Sequence, residues 1–501
     1  MDSSVRITEP AASGGEAAVT LLRTRYGKVL LTLLCAVAFL DFVDASIVNV
    51  ALPDIRRDLG FSIQELQWVP SGYLLTYGGF MLLGGRVADL FGRRRVLVSG
   101  TTLIGLSSLV GGFAGDPGVL VGARLVQGVG AALMLPAALS ILTTSFHAPA
   151  DRRTALGVWG GVGGLASAVG VFLGGVLAEG PGWRWVLFVN PVAAALVLPA
   201  VYRLIPADRR RHRPAGFDLP GAVLATGGML LLVFGLVKAP DQGWGDARTI
   251  GELAGAGVLL AGFVLVERRR HSPMLPLSIF RVRGLAAADV TGLIAFAGLI
   301  AMFFFLTLYM QNVLGYSPIR TGAAYLPLCA GVAVAAGITS QLISRVGTRP
   351  LIVIGSLLAS GGLYWLSRTP VDGSYLTDLF PGLMIVSFGL GGVFVGVTTA
   401  ANAGVPADRA GLAAALLNSC QQVGAALGLA IFSAVATART SHLLSAHASV
   451  PDASTSGIHR ALLTGSVFLL AAALIATRTY NAHSEEPELP AVAPTSDWSL
   501  R

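Results

Sequence analysis

Gly85-Arg86-Val87-Ala88-Asp89-Leu90-Phe91-Gly92-Arg93-Arg94-Arg95 is a short polar stretch between two long apolar ones, residues 66–84 before it and 96–114 after it. A helix needs about 20 mostly apolar residues to cross a hydrocarbon core roughly 30 Å thick. Both flanks are long enough, so the stretch reads as a loop joining two membrane-spanning helices. Its arginines hold such a loop on the cytoplasmic side. Gly85 permits close helix contact, and Asp89 is placed to pair with the nearby arginines or to cap a helix N-terminus.

Working outward, fourteen apolar segments are expected to span: 29–50, 66–84, 96–114, 119–145, 155–178, 185–202, 219–237, 250–266, 285–310, 322–343, 351–366, 379–400, 410–437 and 461–476. With alternating spans and a cytoplasmic N-terminus, 25 of the 35 Lys and Arg residues fall on the cytoplasmic side and nine outside. That asymmetry is what membrane insertion demands. The remaining one, Arg124, lies within a span. The fold class is therefore all-α integral membrane, with both termini expected on the cytoplasmic side of a plasma membrane. The expected organisation is an N-tail (1–28), a six-helix bundle (29–205), two linker helices with basic flanks (206–284), a second six-helix bundle (285–477) and a C-tail (478–501). The polar ends, to Ala18 and from His483, are expected to be disordered.

The two bundles suggest an internal duplication. The loop after the tenth segment, Ser344-Arg345-Val346-Gly347-Thr348-Arg349, keeps the glycine and one arginine of Asp89-Leu90-Phe91-Gly92-Arg93-Arg94 in register. Transporters built from repeats place their site between them, near the bilayer midplane.

Composition agrees. Hydrophobic residues make up 54% of 501 positions and charged residues 12%, against about 25% charged in soluble domains. The 63 glycines suit helices that approach closely in lipid. The net charge of +8 is absorbed by topology, so no nucleic acid is implied. The runs Arg209–Arg211 and Arg268–Arg270 read as cytoplasmic anchors facing membrane lipids. Cys35, Cys329 and Cys420 sit in apolar runs without metal spacing and read as free thiols. The first apolar run lacks a small-residue cleavage site and is expected to remain as a span.

The stretch Gly85–Arg95 closely resembles the signature loop of the major facilitator superfamily. Asp44-Ala45-Ser46-Ile47-Val48-Asn49-Val50-Ala51-Leu52-Pro53 resembles the first-span pattern of its fourteen-span drug:proton antiporters, with Ser46 where threonine is usual. Leu120, Arg124, Gln127, Gly128, Gly130, Ala131 and Ala132 resemble the fourth-span motif associated with proton transfer. Gly170, Gly174, Gly175 and Leu177 resemble the fifth-span antiporter motif, with Val171 in place of its proline. Trp183-Arg184-Trp185 through Asn190-Pro191 is similar to the sixth-span entry, and Asn418, Gln422, Val423, Gly424 and Gly428 to the late thirteenth-span pattern. The resemblance implies the major facilitator fold, two six-helix bundles with two extra helices between them, and export of drugs or antibiotics against protons. It also implies that Gly85, Arg86, Asp89, Gly92, Arg93, Arg94, Gly170, Gly174 and Gly175 serve the conformational change.

Charges within spans are expensive, about 2.5–3.5 kcal/mol at a helix centre on insertion scales. Four stand out: Asp41, Asp44, Arg124 and Asp289. Asp41 and Asp44 are spaced i,i+3 and share a helix face. Two desolvated carboxylates this close resist being ionised together, and Arg124 favours the ionised form. The pair is expected to couple protons, with a static Asp44–Arg124 ion pair as the alternative. Asp289 is expected either as a second protonation site or as a residue in a helix's first turn, favoured by the dipole. Asn49, Tyr73, Gln127, Tyr309, Gln311, Asn418, Gln421 and Gln422 are candidates to line a substrate cavity or to bond between helices. Trp68 is a further candidate, or an interfacial anchor. Val171 is expected to face lipid, and substitutions there to impair the exchange less than Gly174→Leu.

Enzyme chemistry finds no support: no P-loop, no His-Glu-x-x-His and no Cys pair, and all seven histidines lie in loops or tails. No cofactor and no metal are expected. A channel would repeat a short pore-lining unit, and none recurs. The expectation is a monomeric exporter of a small molecule, exchanging it for protons, with an uptake symporter of the same fold as the alternative.

Overall fold

The computed structural model describes residues 21–146, 149–206, 218–270, 273, 275, 277–405 and 410–483. The Arg209–Arg211 run and all but a few residues of the two tails lie outside them. Among the described residues are fourteen helices of 19 residues or more, one for each expected span, and one short helix. They are α1 (Arg25–Leu59), the short α2 (Ile63–Leu66), α3 (Trp68–Phe91), α4 (Arg93–Gly112), α5 (Pro117–Ser145), α6 (Pro149–Glu179), α7 (Arg184–Leu204), α8 (Leu219–Gln242), α9 (Ala247–Arg269), α10 (Leu285–Leu308), α11 (Pro318–Val346), α12 (Thr348–Leu366), α13 (Phe380–Asn402), α14 (Ala410–Ser445) and α15 (Val450–Ala476). A π-helical turn, Tyr309–Val313, prolongs α10, and another, Tyr375–Leu379, leads into α13. Eleven spans are long and apolar enough to cross a membrane by length and composition; Leu165–Glu179 and Pro220–Leu236 add shorter apolar stretches.

Local chemistry explains the helix starts. Side chains of Thr24, Asp116, Asp218, Ser317 and Ser449 each accept a backbone N–H of the helix they precede, and prolines occupy the first turns of α5, α8, α11 and α15. Such caps satisfy amides that have no partner within the helix. Several helices outrun their apolar segments. α1 continues to Leu59 rather than 50, and α14 and α15 extend to Ser445 and back to Val450. Hydropathy marks only the part in hydrocarbon; a helix satisfies its own backbone and continues until a cap ends it. Gly60, in the left-handed region with φ 71°, closes α1.

The duplication is visible in the packing. In the first bundle α1 packs on α6, α3 on α5, and α4 on both α5 and α7. The equivalent pairs recur in the second: α10 on α14, α11 on α13, and α12 on both α13 and α15. The two bundles meet through α6–α11 and α3–α14, which are themselves equivalent. Gly92 and Gly347, aligned in sequence, occupy the same structural place. Each is the single residue between two helices, with φ of 99° and 80°, a conformation that side chains disfavour.

Among the described residues, fourteen long helices of alternating direction leave the start of α1 and the end of α15 on one face, termed here the terminal face; the other is the distal face. The linker helices α8 and α9 pack on each other, and α8 leans on both α3 and α14. The Thr226 hydroxyl on α8 donates to the Gly79 carbonyl on α3 at 2.9 Å.

Candidate functional site

The first bundle closes around a buried polar cluster. Asp44 on α1 is 1% exposed and is reached from two other helices, α5 and α7. Arg124 on α5 donates from Nη1 to Asp44 Oδ2 at 3.1 Å, and Gln127, one turn along α5, donates from Nε2 to Oδ1 at 2.7 Å. Asn190 on α7 donates from Nδ2 to the same Oδ1. Ser108 on α4 accepts from Gln127 Nε2 at 2.6 Å and from Asn190 Nδ2 at 3.2 Å. Arg124 is otherwise held by the Val69 carbonyl (Nε, 3.0 Å) and by Gln127 Oε1 (Nη1, 2.8 Å), and its guanidinium lies 4.3 Å from the Tyr73 ring centroid. An ion pair this deep persists only with further hydrogen bonds around it, and Val69, Gln127 and Asn190 supply them.

Asp41 occupies the adjoining site. Tyr77 donates to Oδ2 at 2.7 Å and Tyr73 to Oδ1 at 3.2 Å, the two rings in edge contact at 5.5 Å. The i,i+3 reading of the two acids is thus realised as two neighbouring sites on one helix face, one with a cation and amides, the other with phenols.

Asp289 lies apart, on α10 in the second bundle, 2% exposed. Its carboxylate caps nothing. Gly284 precedes the helix, and neither Asp289 oxygen has a hydrogen-bond partner among the described residues. The first-turn reading therefore fails.

The cavity candidates scatter. Tyr73 and Gln127 serve the two acids. Asn49 and Asn418 bond to carbonyls of their own helices. Tyr309 donates to the Pro370 carbonyl in the α12–α13 connection. Gln311 donates to the Val50 carbonyl at 2.8 Å, tying the second bundle to α1. Gln422 abuts Gly78 at the α3–α14 seam, and Gln421 lies beside Gly292 on α10. The ring of Trp68, half-buried at the start of α3, packs 6.1 Å from Phe234 of α8.

The glycine motif of α6 lies at two seams. A Cβ on Gly170 would overlap Ser46 Oγ, one on Gly174 the Ile47 carbonyl oxygen, and one on Gly175 the Pro318 carbonyl oxygen of α11. Val171 does not face lipid. It is 2% exposed, and its carbonyl lies against Gly322 of α11. On the same distal side, the Ile319 N–H donates to Glu179 at 3.0 Å. These contacts and the Gln311 bond seal the bundles together distally. In the signature loop, the tight contact falls on Gly84, whose Cβ would overlap the Ala132 carbonyl oxygen; Gly85 has only Pro136 nearby, at 3.9 Å. The two glycines look alike in sequence, but only Gly84 is in tight contact with the α5 backbone. The Asp89 side chain lies outside the described residues; Arg86, Arg93 and Arg94 are all engaged.

Sequence reasoning passed over three cluster members. Asn190 was visible as an amide in an apolar helix, and Tyr77 as a second phenol one turn beyond Tyr73. Ser108 carried no signal, since a lone serine in such a helix is commonplace.

Comparisons agree with this architecture. A bacterial homologue of the human lysosomal transporter Spinster, solved inward-facing and occupied, superposes with a TM-score of 0.65 at 18% identity, covering 92% of this chain and 99% of that one. A peptide transporter in complex with sulfate gives 0.64 at 17% identity over 93% and 97%. These show the fold. By sequence, the chain is 44% identical to the puromycin resistance protein of Streptomyces alboniger over 85% of each chain. It is 38% identical to the cephamycin export protein of Amycolatopsis lactamdurans, over 84% of this chain and 87% of the relative, and 36% identical to the tetracenomycin C resistance and export protein of Streptomyces glaucescens, over 87% and 79%. Residues 34–429 match the Major Facilitator Superfamily model, and with its paired six-helix bundles the chain belongs to that superfamily of membrane transporters.

Proposed function

We propose that this protein exports small amphipathic compounds, of the kind its resistance and export relatives are named for, in exchange for protons. The observation that carries the reading is the Asp44–Arg124–Gln127–Asn190 cluster, a carboxylate buried in the bundle and held from two other helices. Bound protons and released protons change the charge of such a group, and with it the contacts that tie α1 to α5 and α7. Asp41, with its two phenols, and the unpartnered Asp289 are the further carboxyls assigned to proton binding. The polar groups near the α3–α14 seam, Gln421 and Gln422, are assigned to the substrate path. The terminal face, which carries most of the arginines, is cytoplasmic, its basic residues meeting anionic lipid; the domain limits are those read from the sequence, and the working unit is a monomer.

Energetically one or two protons suffice. Each supplies about 2.3 kcal/mol per 100 mV, against about 1.4 kcal/mol per tenfold concentration ratio. The test is uptake of puromycin and lincomycin into everted vesicles. Accumulation that requires an acid lumen supports export by exchange. Accumulation in right-side-out vesicles driven by an inward proton gradient would replace it with uptake by symport. Transport indifferent to any gradient would remove the proton from the mechanism.

A further inference from the structure

Asp44 is surrounded by donors. Oδ1 accepts from both Gln127 and Asn190, and Oδ2 accepts from Arg124. That shell suits an ionised carboxylate and offers nothing to a protonated one, whose O–H needs an acceptor. The charged and titratable groups facing Asp44 are Arg124 from α5, Asp41 from its own helix and Tyr73 from α3; α4 and α7 contribute the neutral Ser108 and Asn190, and α6 presents glycines.

Two side-chain amides touch Asp44, and they are not equivalent. Gln127 is locked, because its Oε1 accepts from Arg124 Nη1 at 2.8 Å and turning it would bring its amino group against the guanidinium. Asn190 is not locked. Its Oδ1 is buried and has no hydrogen-bond partner among the described residues. A buried acceptor left unpaired is unfavourable by about 1–3 kcal/mol, so the orientation seen is held by what Nδ2 finds, namely Asp44 and Ser108. When Asp44 gains a proton, the carboxyl O–H and the Asn190 amino group become two donors face to face. Rotation of the amide by half a turn presents Oδ1 instead, and the Ser108 hydroxyl, itself a rotor, can then donate to it as well.

We propose that Asn190 is a positioning residue that responds to the proton on Asp44: its amide donates to the ionised carboxylate and turns to accept from the protonated one, passing the event from α1 to α7. This rests on the assignment of Asp44 as a proton-carrying group. One O–H bond forms on Asp44 as one breaks in the hydronium that delivers the proton; every other change is a hydrogen bond.

Infrared difference spectroscopy on the whole transporter in liposomes, labelled with asparagine carrying ¹³C at the side-chain carbonyl, tests it. Acidification is expected to produce a carboxyl band absent from Asp44→Asn, together with a downshift of a labelled amide carbonyl as Oδ1 goes from unbonded to bonded. The amide shift should vanish in Asn190→Val and in Asp44→Asn. A carboxyl band without an amide shift, or a shift that persists in Asn190→Val, overturns the role of Asn190. Absence of the carboxyl band overturns the proton assignment of Asp44, and this inference with it. If Asn190→Val does not fold, a wild-type spectrum with a carboxyl band and no labelled amide shift still overturns the role of Asn190, and Asn190→Ser takes the place of the valine variant.

Discussion

Arg124 and Asp44, 80 positions apart on α5 and α1, are joined at 3.1 Å with both side chains 1% exposed. Removing one member of such a pair leaves a buried charge, typically destabilising by about 3–5 kcal/mol. Asp44→Asn is therefore expected to lower thermal stability in detergent and to abolish proton-driven export. The double variant Asp44→Asn/Arg124→Gln should recover much of the stability and none of the transport. Full gradient-dependent transport by purified Asp44→Asn in liposomes would show that Asp44 is scaffold.

Arg124 engages Val69 with Nε, Asp44 and Gln127 with Nη1, and Tyr73 with its face. Lysine is a point charge that cannot reproduce this set. Arg124→Lys should keep the fold, slow transport by roughly tenfold or more, as expected for loss of a charge-assisted bond worth about 1.5–3 kcal/mol, and shift the pH profile. An unchanged profile and rate would reduce the arginine to a counter-ion.

Gly174 meets backbone, the Ile47 carbonyl of α1, which cannot step aside as a side chain can. Gly174→Leu should therefore block transport at equal membrane expression. Val171 is buried at the α6–α11 seam, so Val171→Ala should lose about 1 kcal/mol or more of packing yet retain transport. A fully active Gly174→Leu protein would mean that the α1–α6 contact does not move.

Glu179 ends α6, and its carboxylate accepts the Ile319 N–H in the first turn of α11, linking the bundles on the distal face. Glu179→Ala should weaken the distal seal. Spin labels placed distally on the two bundles should report a larger fraction of long distances, and acidification that protonates Glu179 should move the wild type the same way. Identical distance distributions would show that the seal rests on the Gly175 and Gly322 contacts alone.

The segment following α15 returns to the Gly347 joint. The Thr348 N–H donates to the Ala482 carbonyl, the Thr348 hydroxyl to the Tyr480 carbonyl, Arg349 Nε to the Thr479 carbonyl and the Arg349 N–H to Asn481 Oδ1. At about 0.5–1.5 kcal/mol for each bond, truncation after Arg478 should cost about 3 kcal/mol of stability; Asn481→Ala should show part of that loss. Unfolding midpoints in detergent check both, and a truncated protein as stable as the whole would make the strap incidental.

Sequence alone carried the class of the protein, because hydrocarbon imposes a length and a polarity on every crossing and the arginines record which loops stay on one side. It carried the duplication too, in the aligned Gly92 and Gly347, because a single-residue joint with positive φ leaves glycine in its place. Asp44, Arg124 and Gln127 were legible, since charge and amide in a span are rare, and the structure brings all three together. Tertiary structure decided the rest. That Ser108 and Asn190 complete the cluster, that Trp68 packs on α8, that Gly84 packs more tightly on α5 than Gly85 does, and that Val171 is buried all depend on how helices are rotated about their axes. Rotation is set by packing against neighbours distant in sequence, and in spans apolar on nearly every side the one-dimensional pattern scarcely records which face meets protein and which meets lipid.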